Sequence, residues 1–126
     1  MVLFWFNLKE YKTGEDKKFL DNKDYLPEAN LGEVYHKPFY SLSYVEKYEI
    51  PEWVAYKLTV DMLNTKKFPR DQDFNPDTGI KEGSAHYHDY KQSGYRRGHL
   101  VPSADMSWNK EAMDASFLLS NIAPMR

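Results

Sequence analysis

Five consecutive residues, Tyr95-Arg96-Arg97-Gly98-His99, bring together the groups that water needs to attack a phosphate ester. A histidine with a pKa near neutrality accepts a proton from water at physiological pH. Arginine supplies a planar, permanently charged donor fork suited to phosphate oxygens. Gly98 lets the backbone turn or approach a ligand closely while presenting His99 beside two guanidiniums. A base for water next to phosphate clamps is what phosphodiester hydrolysis requires. An Arg-Gly-His tripeptide is weak evidence on its own, so the surroundings must decide.

Other polar clusters carry less. His86 and His88, followed by Asp89, would share one face of a strand, but the pattern is short and reads as loop histidines. Asp105 and Asp114 read as exposed polar residues, and Tyr35, Phe39, Tyr40, Tyr44 and Tyr48 as core and sheet surface rather than a base-stacking platform.

Composition narrows the chemistry. The chain has 126 residues, enough for one domain with a real core, and is 41% hydrophobic and 16% aromatic, too apolar for a disordered segment. It has no cysteine, which excludes disulfides, thiolate metal sites and a cysteine nucleophile. A metal would have to sit on His, Asn, Asp, Glu or water, a set that favours a hard divalent ion. The formal net charge of −2 argues against a static nucleic-acid binder held by counterion release. A turnover enzyme needs positive charge only at the scissile phosphate, where Arg70, Arg96 and Arg97 can supply it. No stretch approaches the roughly 20 apolar residues of a membrane span. The apolar start, Met1-Val2-Leu3-Phe4-Trp5-Phe6, has no basic flank and is not an intact signal peptide. It reads as a first strand or as an edge left by trimming.

The elements that must position the site follow from turns and alternation. Residues 1–37 read as a peripheral segment of loops with one short strand. Alternation predicts strands over 38–45 and 53–60, joined as a hairpin with Pro51 interrupting between them. Residues 64–84 are rich in turn signals, and a loop of that length inside a compact domain is usually functional. A short strand is expected at 95–100, a turn at Pro102-Ser103, a helix within 108–116 and a buried strand at 117–122.

Tyr95 to Met106, followed by Ser116-Phe117-Leu118-Leu119-Ser120-Asn121-Ile122-Ala123-Pro124, closely resembles the DNA/RNA non-specific endonuclease family. The likeness extends upstream through Tyr40-Ser41-Leu42-Ser43-Tyr44, Pro51 to Leu58, Arg70-Asp71-Gln72-Asp73-Phe74 and Asp89-Tyr90, so residues 38–126 are expected to form a partial domain of that family. The resemblance implies an α+β, ββα-metal (His-Me finger) fold with a central antiparallel sheet. It implies hydrolysis of DNA and RNA backbones without sequence or sugar specificity, giving 5′-phosphate ends. Catalysis falls to His99 as general base, Arg97 beside it and Arg70 against transition-state charge; Arg96 and Asn121 are expected to bind substrate. Mg²⁺ is the implied cofactor, with Mn²⁺ as a substitute.

Arg96 stands where the family usually has Asp. The family's direct metal ligand, a helical asparagine, would lie about nine residues beyond Asn121, near position 130 and past Arg126. The fold is therefore expected to be truncated before its metal-binding helix, with Asn121 the remaining candidate ligand. Two rival readings stay open: a catalytically incomplete nucleic-acid-binding fragment, and a piece completed by another chain. An inhibitor is a conceivable partner, and export from a bacterium a conceivable location.

Overall fold

The structure, a computed structural model, describes residues 2–7 (as a strand), 26–70 and 73–126. Its centre is the predicted hairpin. Strand β3, Ser41–Val45, is buried along its whole length, and β4, Ile50–Leu58, is buried at seven of its nine positions. The four-stranded sheet has the order β1-β4-β3-β2. Here β1 is Val2–Asn7, parallel to β4, and β2 is Glu33–His36, antiparallel to β3. The short strand expected in the N-terminal segment is thus β2, and the apolar start is β1. The charged stretch between them lies outside the described residues.

Pro51 does not interrupt the hairpin as expected; it lies inside β4. The register runs Ser43↔Trp53 and then Tyr44↔Pro51, leaving Glu52 as an extra residue in a bulge. A bulge tolerates the missing proline N–H. It also gives Glu52 a task. Its carboxylate accepts hydrogen bonds from the Ser43 hydroxyl (2.8 Å) and the backbone N–H groups of Asn30 (3.1 Å), Leu31 (3.3 Å) and Gly32 (3.3 Å). Burial pushes this carboxyl up, but those donors outweigh it and hold it below the ordinary value.

Strand β4 ends at Leu58, two residues before the expected boundary. Thr59 takes over as the N-cap of a short helix, α1 (Val60–Asn64), its hydroxyl accepting from the Met62 N–H. Helix α2, Tyr87–Tyr90, replaces the expected histidine loop. Asp89 closes it by accepting from the His86 N–H at 2.6 Å. Helix α3, Lys110–Ser116, matches its prediction and is capped by Asn109.

The strand expected over 117–122 is a correction. The chain there makes a 3₁₀ turn over Leu119–Asn121, and the strand, β6, runs Ile122–Met125. It pairs antiparallel with β5, Arg96–His99, placing Gly98 opposite Ala123 and His99 opposite Ile122. A buried strand needs a continued ladder, whereas the chain at 117–121 makes a single parallel bridge, Asn75↔Leu118, and then turns. Asn75 donates to Phe117 O (3.2 Å) and accepts from the Leu119 N–H (2.8 Å), and the Asn121 N–H donates to Leu118 O (2.8 Å).

Tyrosines explain how sheet and loops hold together. Tyr40, Tyr44 and Tyr56 bury their rings in the core and send their hydroxyls outward. Tyr40 donates to Ala115 O (2.9 Å), Tyr56 donates to Asp105 (2.6 Å), and Tyr44 accepts from the Ala85 N–H (3.1 Å). Burial pushes all three phenols well above their ordinary value.

The turn-rich loop is fixed at Asp77. This buried carboxylate pairs with Lys37 (2.6 Å) and accepts from the Gly79 N–H (2.9 Å) and the Ser120 hydroxyl. Burial opposes its ionisation, yet Lys37 and Ser120 hold the carboxyl below its ordinary 3.8. Asp77→Ala would strand the Lys37 charge, so a loss of about 3–5 kcal/mol is expected, read as a lower urea midpoint at unchanged slope. The contribution is present above the unfolded value and lost as pH falls through the folded one. Parent and variant stabilities should therefore converge in acid, and a gap that persists there would count against the ion pair.

Candidate functional site

His99 ends β5 with its ring packed between two phenylalanines. The Phe117 ring is 4.8 Å away and nearly perpendicular, and Phe74 is at 5.5 Å. Its Nε2 is buried and, among the described residues, has no hydrogen-bond partner. Burial, and secondarily the charge of Arg70, pull its pKa down from 6.5 to about 4. The imidazole is therefore neutral at pH 7 and able to accept a proton.

The same two phenylalanines, 5.1 Å apart, seat the cations. The Arg97 guanidinium carbon lies 4.3 Å from the Phe74 centroid and 5.0 Å from that of Tyr87, and the Arg70 guanidinium lies 5.4 Å from Phe117. Cation–π contact orients a long side chain while leaving its N–H fork available. The structure thus brings His99, Arg97 and Arg70 together around one aromatic pair.

A cavity of about 390 Å³ opens beside them. Arg70, Lys91, Arg96 and Arg97 give it four cationic walls; Phe74, Tyr87, Tyr90 and Tyr95 give it aromatic ones. Among the described residues, no carboxylate lines it. Arg96 is exposed there, placed to meet an anion. At Gly98 an added Cβ would overlap the side chain of Met125 across the strand pair, which would have to swing aside.

Asn121, expected to touch substrate or metal, is placed differently. It is fully buried, and its amide is engaged with backbone: Oδ1 accepts from the Val101 N–H (2.9 Å), while Nδ2 donates to Val101 O (3.1 Å) and Ser116 O (2.9 Å). Its geometry is that of a positioning residue.

Residues for a divalent cation are also lacking. Among the described residues there is no group of three His, Asp or Glu side chains able to hold an ion. The two carboxylates weighed from sequence are engaged elsewhere, Asp105 by Tyr56 and Asp114 by Lys110. The described residues do not fit the expected Mg²⁺ site.

Phe74, Phe117, Lys91, Tyr87 and Tyr90 were not singled out as site residues from sequence, and Tyr95 was named only as part of the pentapeptide that ends at His99. Phe74 was visible four residues after Arg70, but nothing local reveals that it would pack on His99.

Residues 22–125 match the family described as DNA/RNA non-specific endonuclease. The chain belongs to this family. The nuclease EXOG of zebrafish (Danio rerio), named as mitochondrial, is 31% identical over 98% of the chain and 36% of its own length. A nuclease of the fungus Syncephalastrum racemosum is 41% identical over 75% of the chain and 30% of its own length. Human endonuclease G, also named as mitochondrial, is 33% identical over 75% of the chain and 32% of its own length. The chain therefore spans about a third of the length of the curated relatives it matches. Among solved structures, the complex of EndoG with EndoGI superposes with a TM-score of 0.68 at 31% identity, covering 77% of the chain and 41% of the solved one. The α+β endonuclease fold expected from the sequence is the fold found.

Two outcomes are expected. In an NMR titration the His99 imidazole should titrate near pH 4, and Arg70→Gln should move it part of the way back toward 6.5, because burial is the larger cause. With the folded value below the unfolded one, its stabilisation is present above about 6.5 and lost as pH falls toward 4. A midpoint near 6.5 that ignores Arg70 would contradict this geometry. Asn121→Ala should cost about 2–4 kcal/mol in chemical denaturation by orphaning buried backbone groups; a neutral substitution would remove Asn121 from its positioning role.

Proposed function

We propose that the protein containing this chain hydrolyses phosphodiester bonds in DNA and RNA, with His99 as general base and a divalent ion, Mg²⁺ or Mn²⁺, as cofactor. The observation that carries this is the neutral His99 packed on Phe74 and Phe117, the two rings that also seat Arg97 and Arg70 on the wall of a cavity lined, among the described residues, by cations and aromatic rings alone.

The chemistry follows from the groups. Arg97 and Arg96 hold non-bridging phosphate oxygens through their N–H forks. The His99 imidazole takes a proton from a water whose oxygen forms a new bond to phosphorus. The P–O3′ bond breaks, and the leaving 3′ oxygen takes a proton from solvent to end as a 3′-hydroxyl while the other fragment ends as a 5′-phosphate. Arg70 stands against the extra negative charge of the five-coordinate transition state. Phosphate-directed clamps read neither base identity nor sugar, which fits cleavage without specificity. The described residues do not hold the ion, and no step above runs through it. Arg96, where the family usually has Asp, adds attraction for phosphate.

The test is cleavage of supercoiled plasmid and total RNA with Mg²⁺, Mn²⁺ or EDTA. It compares this chain, a version carrying a relative's following segment, and His99→Ala in each. Ion-dependent cutting that falls about 10²- to 10⁴-fold in His99→Ala is expected of whichever form is active. Cutting that survives the substitution undiminished would overturn the assignment of the base. If neither form cuts but both bind nucleic acid, the reading as a binding fragment replaces that of an enzyme.

A further inference from the structure

We propose that the cavity beside His99 takes an unpaired base stacked on Tyr95 and Tyr87, so that the site prefers single-stranded or locally opened nucleic acid to intact duplex. The inference rests on the nuclease reading above and adds a substrate preference to it.

The two rings stand apart from the other tyrosines. Tyr40, Tyr44 and Tyr56 are buried, whereas Tyr87 is 49% and Tyr95 44% exposed, and both line the cavity. Two large exposed rings on one cavity give it a shared aromatic surface, the kind of feature that marks a ligand-binding groove. Each ring also has a guanidinium over it: Arg97 at 5.0 Å from Tyr87, and Arg126 at 5.7 Å from Tyr95. Alternating aromatic faces and phosphate-binding cations is how proteins hold single strands, because every base offers a π-face.

The backbone sets this up. Between α2 and β5 the chain turns through two residues of positive φ, Gln92 (57°) and Gly94 (81°). Tyr87 precedes that turn and Tyr95 follows it, and both line the cavity, with Lys91 between them in sequence. Tyr90 differs: it is half-buried and packed against Ile122 and Leu119, part of the wall rather than the platform.

Size and shape point the same way. A volume of about 390 Å³ falls at the small end of the roughly 300–1,000 Å³ found for small-ligand pockets. That is room for a nucleotide and too little for a double helix. In duplex DNA the bases are stacked on each other, so a tyrosine can engage one only after it leaves the stack, at a cost in energy. A strand already unpaired avoids that cost.

The test measures binding in EDTA, where cutting is suppressed, by fluorescence anisotropy. The probes are a short labelled single strand, its duplex, and the same strand with its bases replaced by abasic sites. Tyr95 is the residue to change, because Tyr87 also seats Arg97. We expect the single strand to bind more tightly than the duplex at equal salt. Tyr95→Leu should weaken the single strand by about 5- to 100-fold and Tyr95→Trp should restore it, with little effect on the abasic strand. A duplex bound as tightly as the single strand, or an equal loss on the abasic strand, would overturn the inference and leave the nuclease reading standing. Failure of the unaltered protein to bind any of the probes at low salt would sink both.

Discussion

Within the core, the Asn121 carboxamide makes three hydrogen bonds to backbone that would otherwise have no partner, and the position of His99 depends on them. Two go to Val101, two residues after His99, and one to Ser116, at the end of α3. The Asn121 carbonyl also receives the Leu100 N–H at 3.0 Å. The β5–β6 ladder ends at His99↔Ile122, and the amide continues the connection where the ladder cannot. In an environment without water each of these groups would be costly to leave unpaired, so the side chain behaves as a rivet between two strands and a helix.

The second constraint is electrostatic. An imidazole placed between guanidiniums in water would remain a weak base of ordinary pKa. Here burial against Phe74 and Phe117, helped by Arg70, keeps it neutral well below pH 7. Under the proposed function, a phosphate bound nearby would bring negative charge toward it and stabilise the imidazolium, so its pKa would rise only when substrate arrives. The aromatic pair serves both ends of this arrangement, desolvating the imidazole on one side and orienting Arg97 and Arg70 on the other.

Legibility in the sequence followed locality. Arg97-Gly98-His99 could be read because its chemistry is contiguous, and β3 and β4 because alternation reports a half-period that survives burial. Pro51 was misread because a proline breaks a ladder only where its N–H is needed, and a bulge removes that need. Residues 117–122 looked like a strand because Phe117, Leu119 and Ile122 are all buried, yet what buries them is a turn tied to Asn75 and Asp77 some forty residues earlier. The same distance hid the roles of Asn121, Phe74, Tyr87 and Tyr95. Their partners come from other elements, and no spacing rule connects position 121 to 101 and 116.

Charge shows how the work is divided within the chain. The molecule is slightly acidic overall, but its carboxylates are not idle: Glu52 gathers a loop's N–H groups, Asp77 holds Lys37, Asp105 receives Tyr56 and Asp89 closes α2. Each is committed to structure, which leaves the cavity to cations and aromatic rings. This commitment is also why the described residues offer no hard-ion site. A divalent cation wants several oxygens converging on one point, and here the oxygens are distributed one to each structural junction. The described residues therefore gather a neutral imidazole and guanidiniums with no contribution from an ion, and in the proposed reaction an ion would need oxygen ligands from other residues.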